Sequence, residues 1–264
     1  MSSPCATCTR RCCHHYTVTV TGYDAWIIST GLGLALEQFL VTVPQREANG
    51  RGFLLSRTGQ TYDIALDKAH ARTKEQPCVF WLGLPNGGGR CGIYALRPQV
   101  CQTYPAYLAD SGVERREDVL CPTRAWRDGI LAQPVWRQRL LRMQVEYDIY
   151  GLAVQRWNYH VLYTPNPAQI SVLAYYTYLL HFYGRLESVR AGTSATELDA
   201  LYERWGACGF AGRSPLVDAC AELDRWSAII KAILAVADGF FPSDDMPYAT
   251  RDPEMQRLPA AIVT

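Results

Sequence analysis

The chain has 264 residues, 48% of them apolar and 19% charged, with a formal net charge of +1. That length and apolar content suffice for one large core or two modest ones. The near-neutral balance gives no electrostatic footprint for nucleic acid or for an anionic membrane surface, so neither is expected as a partner.

The chain opens on cysteines. Cys5-Ala-Thr-Cys8-Thr-Arg-Arg-Cys12-Cys13 places four thiols in nine positions, and His14-His15 follow at once. Thiols this dense are explained most simply as deprotonated ligands of a soft or borderline cation. No region of basic then apolar residues follows Met1, so a cytoplasmic location is expected, where Cys-rich segments bind metal more often than they form disulfides.

Beyond the cluster, Tyr16–Thr21 alternates bulky apolar residues with threonine and predicts a half-buried strand. Thr21-Gly-Tyr-Asp24 has the form of a capping box, opening a short helix that ends at Gly31 or Gly33. A helical turn or two over 34–40 precedes Pro44. Residues 53–56 and 61–66 flank a turn at Thr58-Gly59 and read as a hairpin. A second β pair is expected at 78–82 and 91–94, so that Cys78 and Cys91 open adjacent strands or their turns. Leu96-Arg97-Pro98 starts a helix with Cys101 on its first turns, and Tyr104-Pro105 stops it. The charged run 114–118 reads as a solvated loop.

From Pro134 the periodicity becomes helical. Helices are expected over about 134–160, 168–187, 194–205 and 215–238, with a proline-punctuated tail from Pro242. The longest apolar stretches, 170–183 and 228–241, fall short of the roughly 18–20 apolar residues a span requires, so no membrane span is expected. The expected architecture is α+β: a small Cys-rich metal-binding region over 1–125, then a helical, bundle-like region over 126–264 packed against it. Tyrosines of the second long helix, with Trp157, suit a helix-bundle core better than a docking surface.

Cys78, Cys91, Cys101 and Cys121 supply the other half of a ligand set. With Cys5, Cys8, Cys12 and Cys13 they make eight thiols, matching two four-ligand sites by number. Cys5 and Cys8 form a Cys-x-x-Cys knuckle and are expected to share one metal. Adjacent side chains in an extended segment point to opposite sides, so Cys12-Cys13 argues for two neighbouring sites or for one spare, reactive thiol. One of His14 and His15 is a further candidate ligand, and Cys208 and Cys220 read as ordinary core thiols.

These residues carry a resemblance. The cluster ending in Cys12-Cys13, then Cys78-Val-Phe, Cys91-Gly-Ile-Tyr-Ala-Leu-Arg-Pro98, Cys101 and Tyr104-Pro105, in that order, resembles the YkgJ-type cysteine-cluster family of zinc- or iron-chelating domains. The motif departs from the family pattern at Thr9, where glycine is usual, and in the spacing before the third Cys, three residues rather than two. The spacing and the helical extension are similar to flagellin lysine N-methylase-like members. That resemblance implies an iron–sulfur cluster or zinc/iron, S-adenosylmethionine as a methyl donor, and a protein substrate. The alternative reading of the residues is a non-catalytic, metal-stapled module that binds a partner protein.

Overall fold

The computed structural model describes residues 12–45, 51–69, 76–84, 89–117, 119–120, 126 and 129–207. The fold is α+β, with helices and small antiparallel sheets in the N-terminal part followed by long helices. It divides into two compact units: residues 1–42 with 64–143, and residues 43–63 with 144–264.

In the first unit, α1 (Cys12–His15) is a single helical turn. The extended segment after it is paired less extensively than a full strand: Thr19 forms an isolated bridge to Ala65, flanked by Val20 N donating to Ile64 O and Leu66 N to Val18 O. The capping box then opens α2 (Gly22–Leu32) as expected. Thr21 Oγ1 accepts from Asp24 N at 3.2 Å, and Asp24 Oδ2 accepts from Thr21 N at 3.0 Å, so two backbone donors at the helix start are satisfied reciprocally. Gly33 ends α2 with φ at 67°, the left-handed conformation that glycine adopts without a Cβ penalty. A Cβ at Gly31 would lie 2.7 Å from a Leu96 methyl group, so a larger residue there requires that side chain to shift.

Residues 36–38 form a 3-10 turn, but Leu40–Pro44 is a strand, β1, where helical turns were expected up to 40. Its Leu-Val-Thr-Val run is rich in β-branched residues, whose side chains fit a pleated surface. β2 (Phe53–Leu54) and β3 (Thr61–Leu66) pair antiparallel as anticipated, and β1 joins them in the order β1-β3-β2. The boundary between units passes through β1, β3 and the later α4.

The second β pair is shifted from its expected position. β4 (Trp81–Gly83) pairs with β5 (Gly89–Cys91), Trp81 opposite Cys91. Cys78 precedes β4 and is bridged instead to Lys68. After a 3-10 turn at 94–96, Pro98 caps α3 (Gln99–Thr103), and the chain leaves it through Tyr104-Pro105, which is cis.

The charged run is no plain loop: β6 (Ala106–Ala109) and β7 (Gly112–Arg115) form a tight hairpin. Glu114 accepts hydrogen bonds from Tyr107 and from Ser111, so its charge is used across the hairpin. Against this hairpin lies a cluster built from Ala106, Trp126, Trp136 and Leu140, the last two from the first turns of α4 (Pro134–Tyr163).

The second unit centres on α4, α5 (Val172–Ala191) and α6 (Ala195–Ala207). Ser171 caps α5 by accepting from Ala174 N at 3.1 Å, and Ser194 and Glu197 exchange bonds as the expected capping box of α6. Trp157, Tyr175, Tyr176, Tyr178 and Tyr183 are buried, which rules them out as a docking surface. Phe53 stacks on Tyr175 at 3.9 Å, and Tyr175 donates to Tyr150 Oη at 3.0 Å. Arg190 joins Glu146 and Glu187 at 2.7 Å each, pairing a buried carboxylate with a buried guanidinium. Among the described residues no helix is long and apolar enough to cross a membrane. Cys208, Cys220, the expected helix 215–238 and the tail from Pro242 lie outside the described residues.

Candidate metal centre

Of the eight expected ligands, Cys12, Cys13, Cys78, Cys91 and Cys101 are described, and none of the five is in a disulfide. Cys5, Cys8 and Cys121 lie outside the described residues. The five described cysteines all belong to the first unit; Cys12 and Cys13 share one element and the other three come from separate segments.

Cys12 and Cys13 sit on α1, and this corrects the extended geometry assumed for them. Successive side chains in a helix at 3.6 residues per turn diverge by about 100°, not by 180°, so the adjacent pair does not by itself require two sites. Tyr16 N donates to Cys12 O at 3.0 Å and closes the turn. Cys78 is held beside it, its N–H donating to Cys13 O at 2.9 Å. Cys91 ends β5. Cys101 lies in α3, whose first amide, Gln99 N, donates to Asp24 Oδ1 at 2.9 Å. Asp24 thus caps two helices with one buried carboxylate, accepting from Thr21 through the other oxygen.

The thiols share one electrostatic environment. A hydrogen bond with Cys12 pulls Cys13 down to about 7 against the effect of burial, with Lys68 and Arg97 adding positive charge. Burial pushes Cys78 up to about 11, and the charges of Cys13 and Cys91 push in the same direction. Cys91 is raised by burial and by Cys13. Cys101 is raised furthest, by burial first and then by Cys13, Cys78, Asp24 and Cys91. Once Cys13 ionises, its charge makes each neighbouring thiolate harder to form. A cation among them reverses that sign, because a coordinating thiol is deprotonated outright.

A shared charge field is a longer-range condition than a coordination shell. Zinc–sulfur bonds are about 2.3 Å, and among the described residues no three Cys, His, Asp or Glu side chains converge closely enough to hold an ion. The donor chemistry nevertheless fits zinc or iron, for which thiolate is a preferred ligand. His14 packs edge-on to Trp81 with ring centroids 5.0 Å apart, and His15 is exposed.

Residues 4–122 match the family CxxCxxCC, described as a putative zinc- or iron-chelating domain. This segment belongs to that family. The match spans the cluster, Cys78, Cys91, Cys101 and Cys121, agreeing with the resemblance drawn from the motif. No curated protein and no solved structure matches the chain. Two residues of the CxxCxxCC segment escape a motif reading: Asp24, legible only as a helix cap, and Lys68, notable in sequence only because three lysines stand against 23 arginines.

Proposed function

We propose that this protein binds zinc or iron through Cys5, Cys8, Cys12, Cys13, Cys78, Cys91, Cys101 and Cys121, and that the metal fastens separate segments of the first unit. The observation that carries the reading is the match of residues 4–122 to a zinc- or iron-chelating domain, within which Cys13, Cys78, Cys91 and Cys101 are free thiols near enough to act on one another's ionisation. A cation supplies the charge that lets them ionise together. Eight thiolates suffice for two tetrahedral sites, or for one site and a cluster.

The test is purification without oxygen followed by elemental analysis and visible absorption. Bound zinc without colour identifies a zinc site, and iron with sulfide and charge-transfer absorption an iron–sulfur cluster. Cys78→Ser is expected to lose most of the metal, whereas Cys208→Ser retains it. A folded protein that takes up neither metal, as purified or on reconstitution, overturns the proposal.

The finer reading, methyl transfer from S-adenosylmethionine to a protein lysine, is supported by the motif resemblance. Incorporation of a labelled methyl group into a lysine-bearing protein would establish it. The burial of Trp157 and the α5 tyrosines argues against a partner-binding module docked through them, and the non-catalytic reading that stays is a structural metal staple.

A further inference from the structure

Lys68 touches more of the candidate centre than any motif indicates. Its Nζ donates to Cys13 O at 2.9 Å and to Tyr16 O at 2.6 Å. Its backbone forms the antiparallel bridge to Cys78, flanked by Val79 N donating to Asp67 O at 2.9 Å and Ala69 N to Pro77 O at 2.7 Å. Cys78 N itself donates to Cys13 O at 2.9 Å. One residue therefore grips the segment bearing Cys13 with its side chain and the segment bearing Cys78 with its main chain.

The physical need is clear from α1. A one-turn helix leaves its terminal carbonyls without intrahelical donors, and a cation at that end satisfies them while complementing their partial charge. An ammonium carries three donors and no acceptor, so it can serve both carbonyls at once. An apolar side chain of the same length can serve neither.

We infer that Lys68 is a positioning residue of the metal centre: by bonding the carbonyls of Cys13 and Tyr16 while its backbone pairs with Cys78, it presents Cys13 and Cys78 together to one ion. This rests on the metal-binding reading above, and outer partners of this kind are worth about 10–100-fold in metal affinity.

The test uses the full chain and Co²⁺ as the probe, reading the thiolate-to-cobalt charge-transfer band and the affinity by chelator competition. Lys68→Met is expected to weaken Co²⁺ binding about 10–100-fold and to diminish the band. Lys68→Arg, which keeps the charge and two or more donors, is expected to return the band and most of the affinity. Asn158→Ala, placed in the second unit, reports general destabilisation and should leave the band unchanged. A folded Lys68→Met that binds Co²⁺ within about twofold of wild type with the same band overturns the role of Lys68. Should Lys68→Met fail to fold, acetylation of wild-type Lys68 with and without Co²⁺ decides: protection by the metal supports the role, and equal labelling overturns it. Wild-type protein that binds no Co²⁺ overturns the metal reading, and the inference with it.

Discussion

Asp24 shows how one side chain carries structure into a site. Its carboxylate is 2% exposed and accepts from Thr21 N, Thr21 Oγ1 and Gln99 N. An amide in its place must turn a donor toward one of those donors, so Asp24→Asn is expected to cost about 1–3 kcal/mol, the penalty of an unsatisfied buried group, measured by urea denaturation. Burial raises the Asp24 pKa, the hydrogen bonds from Gln99 and Thr21 opposing it. With the folded value above the unfolded one, the linked stability is fully present below the unfolded pKa and is lost as pH rises through the folded one. Wild-type stability is therefore expected to decline as pH rises over that window, and a wild-type stability that rises there would contradict this account.

At the scale of elements, local signals were legible where the backbone demands a specific residue. Thr21 and Asp24, Ser194 and Glu197, and Pro98 each mark a helix start that the structure contains. The thiols grouped by the motif also share a field in the fold. Other elements were hidden because their cause is not local. The β6–β7 hairpin has its second strand running into the charged run, and its Glu114 gains a cross-strand partner only once Tyr107 lies across from it. The helical turn at Cys12–His15 was masked by a cysteine pattern that says nothing of backbone conformation. The strand β2 was expected from the sequence, but what holds its two residues was not: Asn158 Nδ2 of α4 donates to Gly52 O, Asn158 Oδ1 accepts from Leu54 N, and Trp157 Nε1 donates to Leu54 O, at 2.7–2.9 Å. Asn158→Ala removes two of the three bonds. It is expected to destabilise the second unit by about 1–3 kcal/mol, and to speed hydrogen exchange at the Leu54 amide.

For the whole molecule, the two units draw on different sources of stability. The second rests on a large aromatic core and the Glu146–Arg190 pair. The first has small sheets and, in our reading, a metal, whose binding free energy is folding free energy for a site that does not exist unfolded. Chelation is accordingly expected to make residues 1–42 and 64–143 sensitive to protease while 144–207 stays protected, and to split thermal unfolding into two steps. A single unshifted transition after complete metal removal would count against the staple.

The discontinuity of the first unit has a consequence in time. Synthesis delivers the last of the eight cysteines, Cys121, before Trp136, Leu140 and Met143, which complete the cluster around Ala106 and Trp126. At the usual 5–20 residues per second, those last 22 residues take about 1–4 s. During that interval the eight clustered cysteines have been made while the apolar wall beside the β6–β7 hairpin is still incomplete. A chain ending just short of Trp136 therefore carries all eight proposed metal donors on an unfinished core, open to the ion before the apolar wall is complete.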